Sequence, residues 1–196
     1  IAAKAEGEPC VAYMGNTAAG HYVKMVHNGI EYAMMQMISE VYNLLKISGF
    51  SNGELNAVFG EWNQGALQSF LVEITSLIFN KKDEETGKDL VDMILDRAQQ
   101  KGTGLWTTQS ALELNVPTPT IDIAVTMRYL SALKAERVKA AGYFDYHKNK
   151  ISTDKEAIKT FCREALYFGF AIAYAQGINL IQAASTTSNY EIDIRK

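Results

Sequence analysis

The stretch GHYVKMVHNGIEYAMMQMISEVYNLLK, residues 20–46, constrains the fold of this chain more than any other. Wound as a helix, it places Val23, Val26, Ile30, Ala33, Met34, Met37, Val41 and Leu44 in one arc of roughly 100°, which predicts a core face. Opposite that arc, within roughly 140°, stand Lys24, His27, Asn28, Glu31 and Tyr32, because spacings of three, four and seven bring side chains together on one helix surface. A plain solvated stripe would more cheaply be Glu, Lys and Ala. His, Asn and Tyr are mediocre helix formers, and Gly29 in mid-helix costs about 1 kcal/mol. The polar face therefore reads as a candidate site on a rigid rod.

A chain of 196 residues with 47% hydrophobic content supports one sizeable packed domain. Its net charge of -3, with Lys and Arg spread along the chain, gives no electrostatic case for nucleic acid or an acidic membrane. Cys10 and Cys162 are too few for a disulfide framework or a metal site, so no metal is expected and reduced thiols are the default. With no secretory leader pattern and no N-x-[ST] acceptor, the expected location is cytoplasmic. The uncharged run 165–190 has an apolar part too short to cross a bilayer, and it reads as a buried helix.

In chain order, EPCVAYMG reads as a short extended run without a partner strand, the tail of a preceding sheet domain, with residues 15–20 as the connection. Ser48-Gly49 closes the first helix, and Ser51 with Glu54 has the spacing of a capping box that opens a second, to about Trp62. Residues 65–79 predict a third, with Leu67, Phe70, Leu71, Ile74, Leu77 and Ile78 turned inward. A charged connector, 80–88, leads to a shorter helix carrying Leu90, Val91, Ile94, Leu95 and Ala98 and ending at Gln100. Lys101-Gly102-Thr103-Gly104 interrupts the pattern before a helix over 109–114; such a loop can bring backbone N–H groups and an ammonium to an anion, although it is no P-loop. Pro117 and Pro119 precede a helix over 120–141 that carries Arg128, and 142–152 is a polar loop. Thr153 with Glu156 repeats the capping-box spacing and opens a long last helix through Phe161, Leu166, Phe170, Tyr174 and Ile181. The prediction is an all-α, multi-helix fold of six or seven helices, preceded by a strand remnant, with both chain ends looking cut.

HYVKMVHNGIEY followed further along by QKGTGLWT, with FGEWNQGALQSFLVEIT between them and PTPTIDIAVTMRYLSALKAERVKA and AYAQGINLIQAA after, closely resembles the 6-phosphogluconate dehydrogenase family. The resemblance covers essentially the whole chain. It implies residues 1–15 as the tail of an N-terminal Rossmann domain and 16–196 as the first half of a helical catalytic and substrate domain. It also implies NADP, bound mainly outside this chain, and a homodimer through the helical domain. The family's glycine fingerprint, its Ser-Gly-Gly loop and the Arg and His of its tail are missing here, so this stretch alone is expected to be inactive. Two departures, Leu105 where some relatives carry lysine and AAGHYVK against GAGHFVK, leave the assignments below untouched.

By the same resemblance, Lys24 would be the general base and Glu31 the general acid. His27, Asn28 and Tyr32 would contact the substrate, and Lys101 and Arg128 would hold its phosphate. The implied reaction is NADP-dependent oxidative decarboxylation of 6-phosphogluconate to ribulose 5-phosphate and CO2. A lysine takes a hydroxyl proton only when neutral, which calls for burial or nearby cations. Lys24 and Glu31, two turns apart and about 10 Å along the rise, are too far for an ion pair and are expected to bracket a sugar acid in a common cavity. The alternatives are a related beta-hydroxyacid dehydrogenase, lacking the phosphate grip, and a non-catalytic helical dimerisation module.

Overall fold

Helix α1, Ala19–Ile47, is the axis of the computed structural model, which describes residues 2–144 and 154–195. Seven further helices follow among the described residues: α2 Asn52–Trp62, α3 Phe70–Asn80, α4 Leu90–Met93, α5 Thr103–Glu113, α6 Pro119–Ala132, α7 Lys134–Ala141 and α8 Lys155–Ser188. The fold is all-α, as the periodicity predicts.

The core face of α1 is largely the expected one. Val26, Ile30, Ala33, Met34 and Val41 are buried, joined by Ile38 and Leu45, while Val23 and Met37 are half-buried and Leu44 turns to solvent. The burial spreads because α1 packs on α8, α5 and α6 at once. Each fully buried Val or Leu on it contributes about 1.5–3 kcal/mol. Against α8 the helices come close enough that a Cβ on Gly177 would sit 2.4 Å from Ile30 Cδ1. α1 ends as expected at Ser48-Gly49. Gly49, at φ +89, donates to Lys46 O and Phe50 to Leu45 O, closing the last turn while Phe50 and Leu45 meet in the core.

The Ser51 box also forms: its hydroxyl accepts from Glu54 N, and the Glu54 carboxylate takes the Ser51 backbone N–H at 2.7 Å. Lys155 reaches the same carboxylate at 2.7 Å and Lys159 reaches Glu61 at 2.6 Å, tying the start of α8 to α2. Helix α8 buries a single stripe, Cys162, Leu166, Phe170, Ala173, Gly177, Leu180 and Ala184. The expectation of a buried helix over 165–190 is thereby corrected, since Tyr167, Phe168, Tyr174 and Ile178 are exposed. Asp154, whose carboxylate accepts from Glu156 N, caps it; the predicted capping residue Thr153 and the loop residues 145–152 lie outside the described residues.

Four other expectations change. Glu8–Pro9 does have a partner, pairing antiparallel with Lys4–Ala5 through a turn in which Glu6 and Gly7 both have positive φ. Helix α3 starts at Phe70, not Gly65; its Ser69 cap sets a phase that buries Leu71, Val72, Thr75 and Phe79 and leaves Phe70, Leu77 and Ile78 exposed. The helix expected over 90–100 is one turn, α4. Asn52, buried, fixes that turn by donating to Asp89 and Asp92, and beyond Ile94 side chains from α6 and α7 take the backbone: Ser131 bonds Ala98, Arg128 bonds Gln99 O, and Arg137 bonds Asp96 O. The helix expected over 120–141 breaks at Leu133, which turns α7 so that Lys134 and Arg137 both reach the Asp96 carboxylate. Those two cations lower the Asp96 pKa to about 2.

Candidate active site

The exposed side of α1 carries a connected polar row. Lys24 Nζ lies 3.0 Å from His27 Nδ1, which in turn stands 3.4 Å from Asn28 Oδ1 and 3.6 Å from Glu31 Oε2. One ring nitrogen cannot serve all three. With its lone pair free, Nδ1 accepts from Lys24; protonated, it turns a donor toward Asn28 or Glu31. His27 therefore stands between the amine and the carboxyl group, which the seven-residue spacing keeps from pairing directly. Lys24 is exposed, so burial by the helices of this chain does not supply the desolvation expected of a lysine base.

Two close approaches bring α5 against this face. A Cβ on Gly29 would fall 2.7 Å from Thr107 Cγ2, and the buried Thr107 hydroxyl lies 3.0 Å from Met25 O and 2.8 Å from Thr103 O. The glycine that weakens α1 as an isolated helix is thus what lets the two helices meet. One turn earlier on α5, the Tyr32 ring occupies the space a side chain at Gly104 would need, with Cε2 2.6 Å from the ideal Cβ. Arg128, on α6, lays its guanidinium 4.4 Å above the centroid of the same ring.

Helix α5 starts at Thr103, six residues before the predicted helix, with Gly102 as its cap at φ +108. Gly102 and Thr103 of the predicted loop are therefore a helix entry, preceded by the exposed Lys101. Between α1 and α5 opens a cavity of about 450 Å³ whose walls include Lys24, Asn28, Thr103, Trp106, Tyr22 and Tyr190. Glu31, Tyr32, Lys101 and Arg128 are not among its lining residues, so the cavity expected to hold both base and acid takes only Lys24 of the two. Arg128 instead borders a second hollow of about 260 Å³ with Arg97, Gln99 and Gln100. Lys101 and Arg128 are joined only indirectly, Arg128 Nη1 donating to Gln99 O at 2.7 Å two residues upstream of Lys101.

The sequence reading missed several wall residues. His21, also in the lining, falls on the same helix face as Asn28 and was legible on the helical wheel. Tyr190 was not, because it arrives from beyond the far end of α8: its ring lies tilted against Tyr22, centroids 5.7 Å apart, and its backbone O accepts from Asn16 N, closing the cavity from the side. Tyr22, bonded to Ser110 at 2.7 Å, has its pKa raised by burial.

Residues 20–196 match the sequence model of the 6-phosphogluconate dehydrogenase C-terminal domain. The NADP(+)-dependent, decarboxylating 6-phosphogluconate dehydrogenase of Bacillus subtilis is 54% identical over 194 residues, covering 98% of this chain and 41% of that protein. A decarboxylating 6-phosphogluconate dehydrogenase of Lactococcus lactis is 51% identical over 195 residues, again 98% of this chain and 41% of its own length. The solved Plasmodium falciparum 6-phosphogluconate dehydrogenase, studied with its cofactor NADP+ and its substrate 6-phosphogluconate, superposes with a TM-score of 0.92 at 42% identity, over 98% of this chain and 42% of that one. The chain thus spans about two-fifths of the length of these relatives.

Proposed function

This chain belongs to the 6-phosphogluconate dehydrogenase family, and on that footing we propose that it forms the catalytic helical part of an enzyme converting 6-phosphogluconate to ribulose 5-phosphate and CO2. The observation that carries the reading is the row Lys24, His27, Asn28 and Glu31 on one face of α1, with the Tyr32–Arg128 stack at its end.

In this reading Lys24, as the neutral amine, takes the proton of the substrate hydroxyl while its carbon is oxidised. The protonated amine then hydrogen-bonds the new ketone oxygen and draws the electrons of the breaking carbon–carbon bond as CO2 leaves. Glu31 donates a proton to the carbon that lost CO2, turning the enediol into the ketose. His27 and Asn28 bind sugar hydroxyls between them. Lys101 and Arg128 hold the phosphate, so that orientation supplies several kcal/mol of the acceleration. Helix α1 holds the two proton-handling groups two turns apart.

NADP supplies the hydride acceptor. Among the described residues the one sheet is a hairpin of two two-residue strands, and no glycine-rich turn links a strand to a helix, so the described residues supply no dinucleotide-binding sheet. Residues 1–15 are read as the edge of a nucleotide-binding domain and 16–196 as the substrate domain. The exposed Tyr167, Phe168, Tyr174 and Ile178 of α8 support assembly with a second copy. Among the described residues no helix is long and apolar enough to cross a membrane.

The test is turnover by a full-length protein carrying this chain. NADP-dependent formation of ribulose 5-phosphate and CO2 from 6-phosphogluconate supports the reading. Turnover of small 3-hydroxy acids in preference to 6-phosphogluconate, or tight dimerisation with no turnover, overturns it.

A further inference from the structure

Between the single turn of α4 and the start of α5, three consecutive residues are laid along α6. Ala98 N donates to Ser131 Oγ at 2.9 Å, Gln99 O accepts from Arg128 Nη1 at 2.7 Å, and Gln100 Nε2 donates to Tyr129 Oη at 3.1 Å. The other end of the Gln100 amide accepts the Gly102 backbone N–H at 2.8 Å. This orientation of the amide is forced, because a backbone N–H can only donate; the oxygen must face Gly102 and the NH2 must face the tyrosine. One side chain therefore spans the turn, anchored to α6 at one end and to the cap of α5 at the other, with Lys101 in the chain between Gln100 and Gly102. Gly102, at φ +108, holds a conformation open mainly to glycine, and it delivers the N–H that Gln100 receives.

We propose that Gln100 is a positioning residue for Lys101: its amide, tied to Tyr129 and to Gly102, sets the direction in which the lysine presents its ammonium to the phosphate of the substrate. Lys101 is exposed, and its long side chain gains a fixed origin only from this turn. The same turn places Gln99 O on Arg128, so Gln100 also sets the spacing between the two cations. The inference rests on the phosphate role of Lys101 given above. It goes beyond that role by naming the group that makes the grip specific.

The experiment measures steady-state kinetics of the full-length protein with 6-phosphogluconate and with unphosphorylated gluconate. Gln100→Met keeps the length of the side chain and removes both hydrogen bonds. Expected is a rise of about tenfold in KM for 6-phosphogluconate, with kcat and the KM for gluconate held within about twofold. Tyr129→Phe, which removes one hydroxyl, should raise the same KM by less, and the double variant should be no worse than Gln100→Met alone. Lys101→Ala separates the two layers. If Lys101→Ala raises the KM for 6-phosphogluconate selectively and Gln100→Met does not, the inference is overturned while the reading of Lys101 stands. Equal losses for both substrates, or a fall in kcat alone, would mean that Gln100 merely supports the fold, and they too overturn it. If Lys101→Ala shows no selectivity, the phosphate reading fails and the positioning role falls with it.

Discussion

Arg128 lies face-on to Tyr32, its guanidinium carbon 4.4 Å from the ring centroid, and the same side chain donates to Gln99 O at 2.7 Å. The arginine is thus held by an aromatic platform on α1 and a carbonyl ahead of α5, aimed rather than free. Arg128→Ala should raise the KM for 6-phosphogluconate about 10- to 100-fold while leaving gluconate nearly unaffected. Arg128→Lys should restore little, since an ammonium cannot stack and bond in the same fork. Parallel kinetics on the two substrates check this, and equal losses on both would remove the phosphate role.

Lys24 is exposed and makes its hydrogen bond to His27 alone among the described contacts, so removing its amine should leave the fold intact. Lys24→Met in the full-length protein should lower turnover by about 10²–10⁴-fold with an unchanged melting temperature. Near-normal formation of reduced nucleotide by this variant would refute its role as base.

Glu31 should matter later in the reaction than Lys24. In Glu31→Gln, a single turnover should still produce reduced nucleotide, whereas formation of the ketose slows by about 10²–10⁴-fold. Rapid-quench analysis of both products separates the steps. A variant slowed equally in both would place Glu31 before oxidation and contradict the assignment.

Gly29 marks one of the two tight approaches between α1 and α5. In Gly29→Ala the new methyl would meet Thr107 Cγ2 at 2.7 Å and Oγ1 at 2.9 Å, and Thr107 is fully buried. A loss of about 1–3 kcal/mol of stability is expected, partly recovered in combination with Thr107→Ser, which deletes the closer atom. Denaturant midpoints of the single and double variants measure this.

Acid should loosen two tethers together. The carboxyls of Glu54, bonded first by Lys155 and then by Ser51, and of Asp96, bonded by Lys134 and Arg137, are both lowered to about 2. Because the folded values lie below the unfolded ones, near 4, the stabilisation is complete above about pH 4 and disappears as pH falls toward 2. In melting curves recorded across that range, Asp96→Asn should flatten the acid slope relative to wild type. An identical slope in the variant would remove Asp96 from the account.

What the sequence made legible was local. The core stripe of α1, the Ser51–Glu54 box and the stop at Gly49 depend on residues within a few positions of one another, and all three formed. Residues 94–100 were misread because Ile94, Leu95 and Ala98 have helical spacing, but Ser131, Arg128 and Arg137 claim the backbone from a distance. The α1 row of the site could be read from the helical wheel, since a helix fixes its own side-chain directions. Lys101 and Arg128 came from family resemblance, and the link between them through Gln99 depends on a crossing of α6 that no periodicity encodes. Gly29 looked like a defect until Thr107 appeared beside it.

Lys24 and Glu31, the proposed base and acid, ride on one uninterrupted rod whose far side is locked to α8 through Ile30 and Gly177. A remote substitution that tilts that rod by a degree or two moves donor and acceptor as a pair, so oxidation and the later protonation should deteriorate in step. A lesion near the chemistry can separate the two half-reactions, whereas a distant one should leave their ratio as it was.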